Sequence, residues 1–149
     1  MAKKILYLDW PCFGKEDILE TFSDFGFQTV PFFHENYTER KDASFDSAFD
    51  KAAADDFSFC FSFDYYPLVS EGCKRRGIPY ISVIYDSPQV AVYSYTIINP
   101  NNYVFIFDSE LYTRLQKEGI QTVYYMPLPI NPKRIARTLK TTPANMDRY

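Results

Sequence analysis

Glycine is scarce where a phosphate cradle would need it. The chain has 149 residues and only five glycines, and the first strand-to-helix turn holds a single one, Gly14, flanked by Phe13 and Lys15. A dinucleotide pyrophosphate needs close backbone approach, which those neighbours crowd, and neither G-x-G-x-x-G nor a P-loop is present. Nicotinamide and flavin are therefore disfavoured, and no cofactor is expected in this chain. Cysteine is also sparse. Cys12, Cys60 and Cys73 are an odd number without C-x-x-C spacing, which argues against a disulfide scaffold and a zinc site. No metal-ligand cluster, nucleophile-elbow serine or Cys/His pair stands out. By motif alone the chain is not a self-sufficient enzyme. No apolar run reaches membrane-spanning length, and Lys3 and Lys4 precede only a short strand-like run, so no signal peptide is read. The expected location is cytoplasmic.

Excess basic charge is lacking too. The net charge is -3 and the pI about 5.1, which offers no field for nucleic acid. The balance is uneven: from Pro132 onward, Lys133, Arg134, Arg137, Lys140 and Arg148 against Asp147 give +4, leaving -7 for the rest. The basic end reads as a solvated linker, with peripheral contact to an anionic membrane surface as the other reading.

Aromatic residues are abundant: 13 Tyr and 14 Phe, 19% with the one Trp. Together with 46% hydrophobic residues they support one domain with a substantial core. The stretch Gly77–Gln89, GIPYISVIYDSPQ, organises the reading. It is apolar and β-branched up to Tyr85, the pattern of a strand buried on both faces. It ends at Asp86-Ser87-Pro88, delivering a carboxylate and a hydroxyl to the sheet's carboxyl edge, where ligands of open α/β sheets sit.

Further strands are read at residues 4–10, 28–33, 57–62, 103–107 and 123–126. Helices are read at 17–25, 44–56 with Ser44 as N-cap, 67–76, 108–117 and 133–140, the last on Ile135 and Leu139. Residues 90–98 are read as a short helix, with an extended wall as the alternative. Pro31 argues that the second strand lies away from the sheet centre. The alternation predicts an α/β, Rossmann-like three-layer sandwich with a mostly parallel six-stranded sheet in the order 3-2-1-4-5-6. A crevice then lies between the turns after strands one and four.

Asp86 either caps its own turn or accepts hydrogen bonds from a ligand hydroxyl. His34, the lone histidine, is a solvated loop residue or a base. These two are the candidate acid–base groups, and no catalytic role is assigned to either. Phe13, Gly14, Tyr65, Tyr66, Asp86, Ser87 and Pro88 are the candidate binding residues. Tyrosines beside a carboxylate suit carbohydrate, and they suit packing under a loop equally. Asp64 leaves strand three with Tyr65 and Tyr66. Asp108 reads as a helix cap, and Asp9, inside strand one, needs a partner if buried.

Three blocks together carry a resemblance: Gly77-Ile78-Pro79-Tyr80 ending in Asp86-Ser87-Pro88, the Phe105-Ile106-Phe107-Asp108 turn, and Tyr125-Met126-Pro127-Leu128. Over about residues 3–132 the chain resembles the N-terminal domain of bacterial GT-B glycosyltransferases of the spore-maturation CgeB type. The resemblance implies residues 1–131 as an acceptor-side domain and 132–149 as a linker toward a donor-binding C-terminal domain. That partner would hold the nucleotide-sugar, and the acceptor would be a carbohydrate or a glycosylated molecule. Asp86, Ser87 and Pro88 would form part of the cleft. The alternatives are a stand-alone flavodoxin- or receiver-like binding or regulatory module, and a structural interaction domain.

Overall fold

The computed structural model describes residues 3–141. The strands are β1 (Lys3–Leu8), β2 (Phe27–Phe32), β3 (Phe59–Phe63), β4 (Tyr80–Ile84), β5 (Asn102–Ile106) and β6 (Val123–Tyr125). The helices are α1 (Lys15–Asp24), α2 (Ala43–Ala52), α3 (Pro67–Arg76), α4 (Ser109–Lys117) and α5 (Pro132–Thr141). The expected α/β sandwich is the fold, and all strand pairs are parallel.

The strand order is β2-β1-β3-β4-β5-β6, which corrects the expected 3-2-1-4-5-6. Composition explains the difference. In β3, Cys60 to Phe63 are buried on both faces, as befits an interior strand. In β2, Pro31 lies opposite Tyr7 and has no N–H to offer a second neighbour, so β2 takes the edge. The direction of winding now reverses between β1 and β3, and that is where the crevice of such a sheet opens.

The two faces are covered unequally. On one, Leu6, Cys60, Ile84 and Val104 meet Phe45 and Phe49 of α2, Val69 of α3 and Leu115 of α4. Helices α2 and α3 touch where Gly72 lies under Phe49; a Cβ on Gly72 would sit 2.5 Å from the ring. On the other face, Ile5, Tyr7, Phe61 and Phe63 meet Phe22 of α1, with Ile18 and Leu19 beside it. Helix α5 adds little apolar cover. Ile135 and Leu139, expected as its inner stripe, are 42% and 71% exposed. It is held to α1 by charge: Arg134 to Asp17 at 2.9 Å, Arg137 to Glu20 at 3.0 Å, and Lys133 to Asp24.

Two local readings change. Asp42 caps α2 by accepting from the Phe45 N–H, in place of Ser44, whose hydroxyl donates to Asp42. Residues 90–98 form two 3-10 helices, Val90–Tyr93 and Tyr95–Ile98, in place of one α-helix. A buried polar network holds the second of them. The Asn102 amide donates to the carbonyls of Thr96 at 2.8 Å and Ile97 at 3.2 Å. The Tyr65 hydroxyl meets Thr96 Oγ1 at 2.7 Å, and Asn99 Nδ2 donates to Ser70 Oγ at 3.0 Å. The Thr96 carbonyl also accepts from the Asn99 N–H at 2.9 Å, the i→i+3 bond of a 3-10 turn.

Candidate functional site at the carboxyl edge

Trp10 leaves β1 at the switch point and packs against both cores. Its indole N–H donates to the Phe63 carbonyl at 3.0 Å, which fixes the ring over the end of β3. Tyr85 lies nearly parallel to it (6.3 Å, 7°), Tyr37 more loosely so (6.4 Å, 23°), and Tyr66 meets it edge-on (6.1 Å, 78°). These are the offset and edge geometries that aromatic quadrupoles favour. The result is a half-buried aromatic platform at the carboxyl edge.

Carboxylates surround it. Asp9 finds the partner it needs in Lys15. Asp64 is 3% exposed and sits in the left-handed region at φ 56°. Asp is among the few residues tolerated there, because its short side chain bonds locally. Its Oδ1 accepts from the N–H groups of Tyr85 (3.3 Å) and Asp86 (3.4 Å), and its carbonyl accepts from Ser62 Oγ (2.6 Å) and Ser82 Oγ (3.0 Å). Burial pushes the carboxyl pKa upward, and the nearby Asp86 charge adds to the rise. Cys12 lies beside Tyr7, its Sγ 3.6 Å from the hydroxyl. Burial raises both groups, so the thiol stays protonated and is a poor nucleophile.

The expected site residues divide. Phe13 is 90% exposed on the turn after β1. Gly14, at φ 81°, caps α1 against Phe63; a Cβ there would lie 3.2 Å from Phe63 Cζ. Tyr66 joins the platform. Asp86, Ser87 and Pro88 lie exposed on the turn after β4, with Ser87 Oγ donating to Asp108 Oδ2 at 2.7 Å. That bond, with the Glu110 and Leu111 N–H groups, holds the Asp108 carboxyl below its usual range. The expected crevice between strands one and four is corrected, because β3 and Asp64 stand between them. Tyr65, read as an outer contact, is wholly buried with its hydroxyl bonded inside the core.

His34 stays on the β2 side. Its Nδ1 accepts from the Asn36 N–H at 3.2 Å, and its ring stands edge-on to Phe45 of α2. Three strand spacings, roughly 14 Å, separate β2 from β4, so His34 and Asp86 do not converge on one bond. Sequence reasoning missed Trp10, Tyr37 and Tyr85 as a set, and Asp64 as a buried acid. The available signal was Asp9-Trp10 and Asp64 ending the two strands that turn out to flank the switch point.

Beside the platform, on the α1 face, lies a cavity of about 580 Å³. Its floor includes Phe63, Val83 and Phe105, and its walls are α1 and the segment from Leu128 to Pro132. No family model matches the chain, and no curated protein matches it. The functional reading therefore rests on the chemistry of the edge. Among the described residues, no helix is long and apolar enough to cross a membrane, and no group of three or more His, Cys, Asp or Glu side chains is placed to hold a metal ion.

Proposed function

We propose that the chain is a carbohydrate-binding domain that holds a sugar acceptor at its carboxyl edge, as the acceptor-side half of a GT-B type glycosyltransferase. The nucleotide-sugar donor would be held by a separate donor-binding domain. The observation that carries this reading is the Trp10 platform with Tyr37 and Tyr85, set beside the carboxylates of Asp9, Asp64 and Asp86. Flat apolar rings suit the C–H faces of a pyranose, and carboxylates accept hydrogen bonds from its hydroxyls. The exposed Asp86 and Ser87 would orient acceptor hydroxyls, and Phe13 would form the opposite rim.

Trp10 is the sole tryptophan, so its fluorescence reports on the platform. Titration with a panel of neutral and acidic oligosaccharides is expected to give a saturable change with at least one of them, weakened in Asp86→Ala. A flat response across the panel defeats the reading. Equal affinity of Asp86→Ala and wild type removes Asp86 from the site.

A second reading is a flavodoxin- or receiver-like module. The strand order favours it, since 2-1-3-4-5 is the flavodoxin-like order with its ligand at the β1/β3 switch. Asp64 occupies the position after β3, but it is buried and engaged with backbone N–H groups. Incubation with acetyl phosphate and magnesium is expected to leave the chain unmodified, and a stable acyl phosphate on Asp64 would favour this second reading.

A further inference from the structure

Several of the polar groups lining the α1-face cavity are engaged with one another. Asp17 is paired with Arg134 at 2.9 Å, and its Oδ1 accepts from Asn131 Nδ2 at 3.0 Å. The Thr21 hydroxyl donates to the Asp17 carbonyl at 2.8 Å. The second amide bond of Asn131 goes to Glu20, and its Oδ1 accepts from the Lys133 N–H at 3.0 Å. The remaining lining is mostly apolar side chain: Ile18, Phe63, Ile81, Val83, Phe105 and Met126, with Leu128 and Ile130 at the rim.

A ligand entering here meets mostly carbon, with the charged pair Asp17–Arg134 at the rim. Bringing a polar molecule in would cost its hydration with little replacement. The volume lies within the range of small-molecule sites, which are mostly apolar and largely preformed. The one rim pair, Asp17–Arg134, is neutral in sum, so it selects no charge.

We propose that this cavity binds a single aliphatic chain of the fatty-acyl class, in a space that shares Phe13 and Tyr85 with the edge of the aromatic platform. The chain lies over β3, β4 and β5, between α1 and the Leu128–Pro132 segment. Its recognition is by buried area alone. Affinity therefore rises with chain length until the cavity is full, and it responds to cavity volume while tolerating exchange of the head group.

The test is displacement of the fluorescent polyene cis-parinaric acid from the full chain by saturated fatty acids of increasing length, below their aggregation limits. Each added methylene is expected to tighten binding about fourfold, equivalent to ~0.8 kcal/mol, up to a plateau. Val83→Phe, which fills the floor, is expected to shorten the plateau length. Leu128→Asp, on an exposed rim residue, is expected to weaken the longest chains by tenfold or more. Circular dichroism establishes that each variant is folded, and if Val83→Phe is not, Leu128→Asp decides.

No saturable binding by wild type overturns the proposal; a cavity covered by a second copy of the chain would give that result. Affinity that does not depend on chain length, or that folded variants leave unchanged, overturns it equally. The sugar reading is judged separately, by oligosaccharide titration in the absence of fatty acid.

Discussion

The two faces of the sheet are built from the same residue types and put to different ends. Toward α2, α3 and α4, aromatic rings interlock: Phe32 stands edge-on to both Phe45 and Phe49, and Gly72 lets α3 close down on Phe49. Toward α1, the rings of Tyr103 and Tyr124 stack on each other but remain 42% and 40% exposed, and the floor beside them holds a cavity. Aromatic abundance alone cannot distinguish the two. The difference is cover: three helices lie over one face, whereas the other has one packed helix and one attached by charge. The first face is closed, and the second keeps exposed rings and a cavity.

The comparison breaks most sharply at Phe49. Phe49→Ala is expected to cost about 3–5 kcal/mol in denaturant unfolding, as for a large ring removed from a closed core. Tyr124→Ser, on the open face, is expected to stay within about 0.5 kcal/mol. Equal losses would mean that the α1 face is as closed as the other.

The next effect is at Asp64, between the faces. Asp64→Val puts a branched residue at φ 56° and is expected to cost about 1–2 kcal/mol. The carboxyl itself has a sign. Its native pKa is raised by burial, so between the unfolded value, about 4, and the native one the folded state binds more protons. Stability is therefore lost as pH rises through that window. Asp64→Asn, which tolerates the same backbone, is expected to remove that part of the pH slope. An unchanged slope in Asp64→Asn would assign it to another group.

The smallest effect is at α5. Arg137 and Asn131 hold the Glu20 carboxyl down to about 2. The ion pair is intact above the usual carboxylate range and is lost as pH falls through about 2. Because the partners are exposed, salt screens them as well. Amide exchange across residues 135–139 is expected to quicken in 1 M salt or below pH 3, with Val104 in β5 unmoved. Protection of α5 that ignores both conditions would mean that apolar contact holds it.

How far the sequence could lead is clearest at particular residues. The apolar run through Ile81, Val83 and Ile84 correctly announced a buried strand, and Asp108 its cap. Pro31 correctly sent β2 outward, although the expected order placed it inside. The two readings conflicted, and the proline, a local covalent constraint, was the stronger. Tyr65 and Tyr66 are adjacent and chemically identical, yet one is in the core and the other faces Trp10. Both are buried, but the Tyr65 hydroxyl is bonded to Thr96 inside the core while the Tyr66 ring meets Trp10 edge-on. The Trp10 platform was illegible because its rings come from four separate turns, and only tertiary placement brings them together.

The network around Asn102 has one more consequence. By tying the 3-10 turn Tyr95–Ile98 to α3 and β5, it fixes the end of the linkage from β4 to β5 to the frame. On the α1 side the cavity is bounded instead by Phe13, 90% exposed, and by residues 128–131, which belong to no helix or strand.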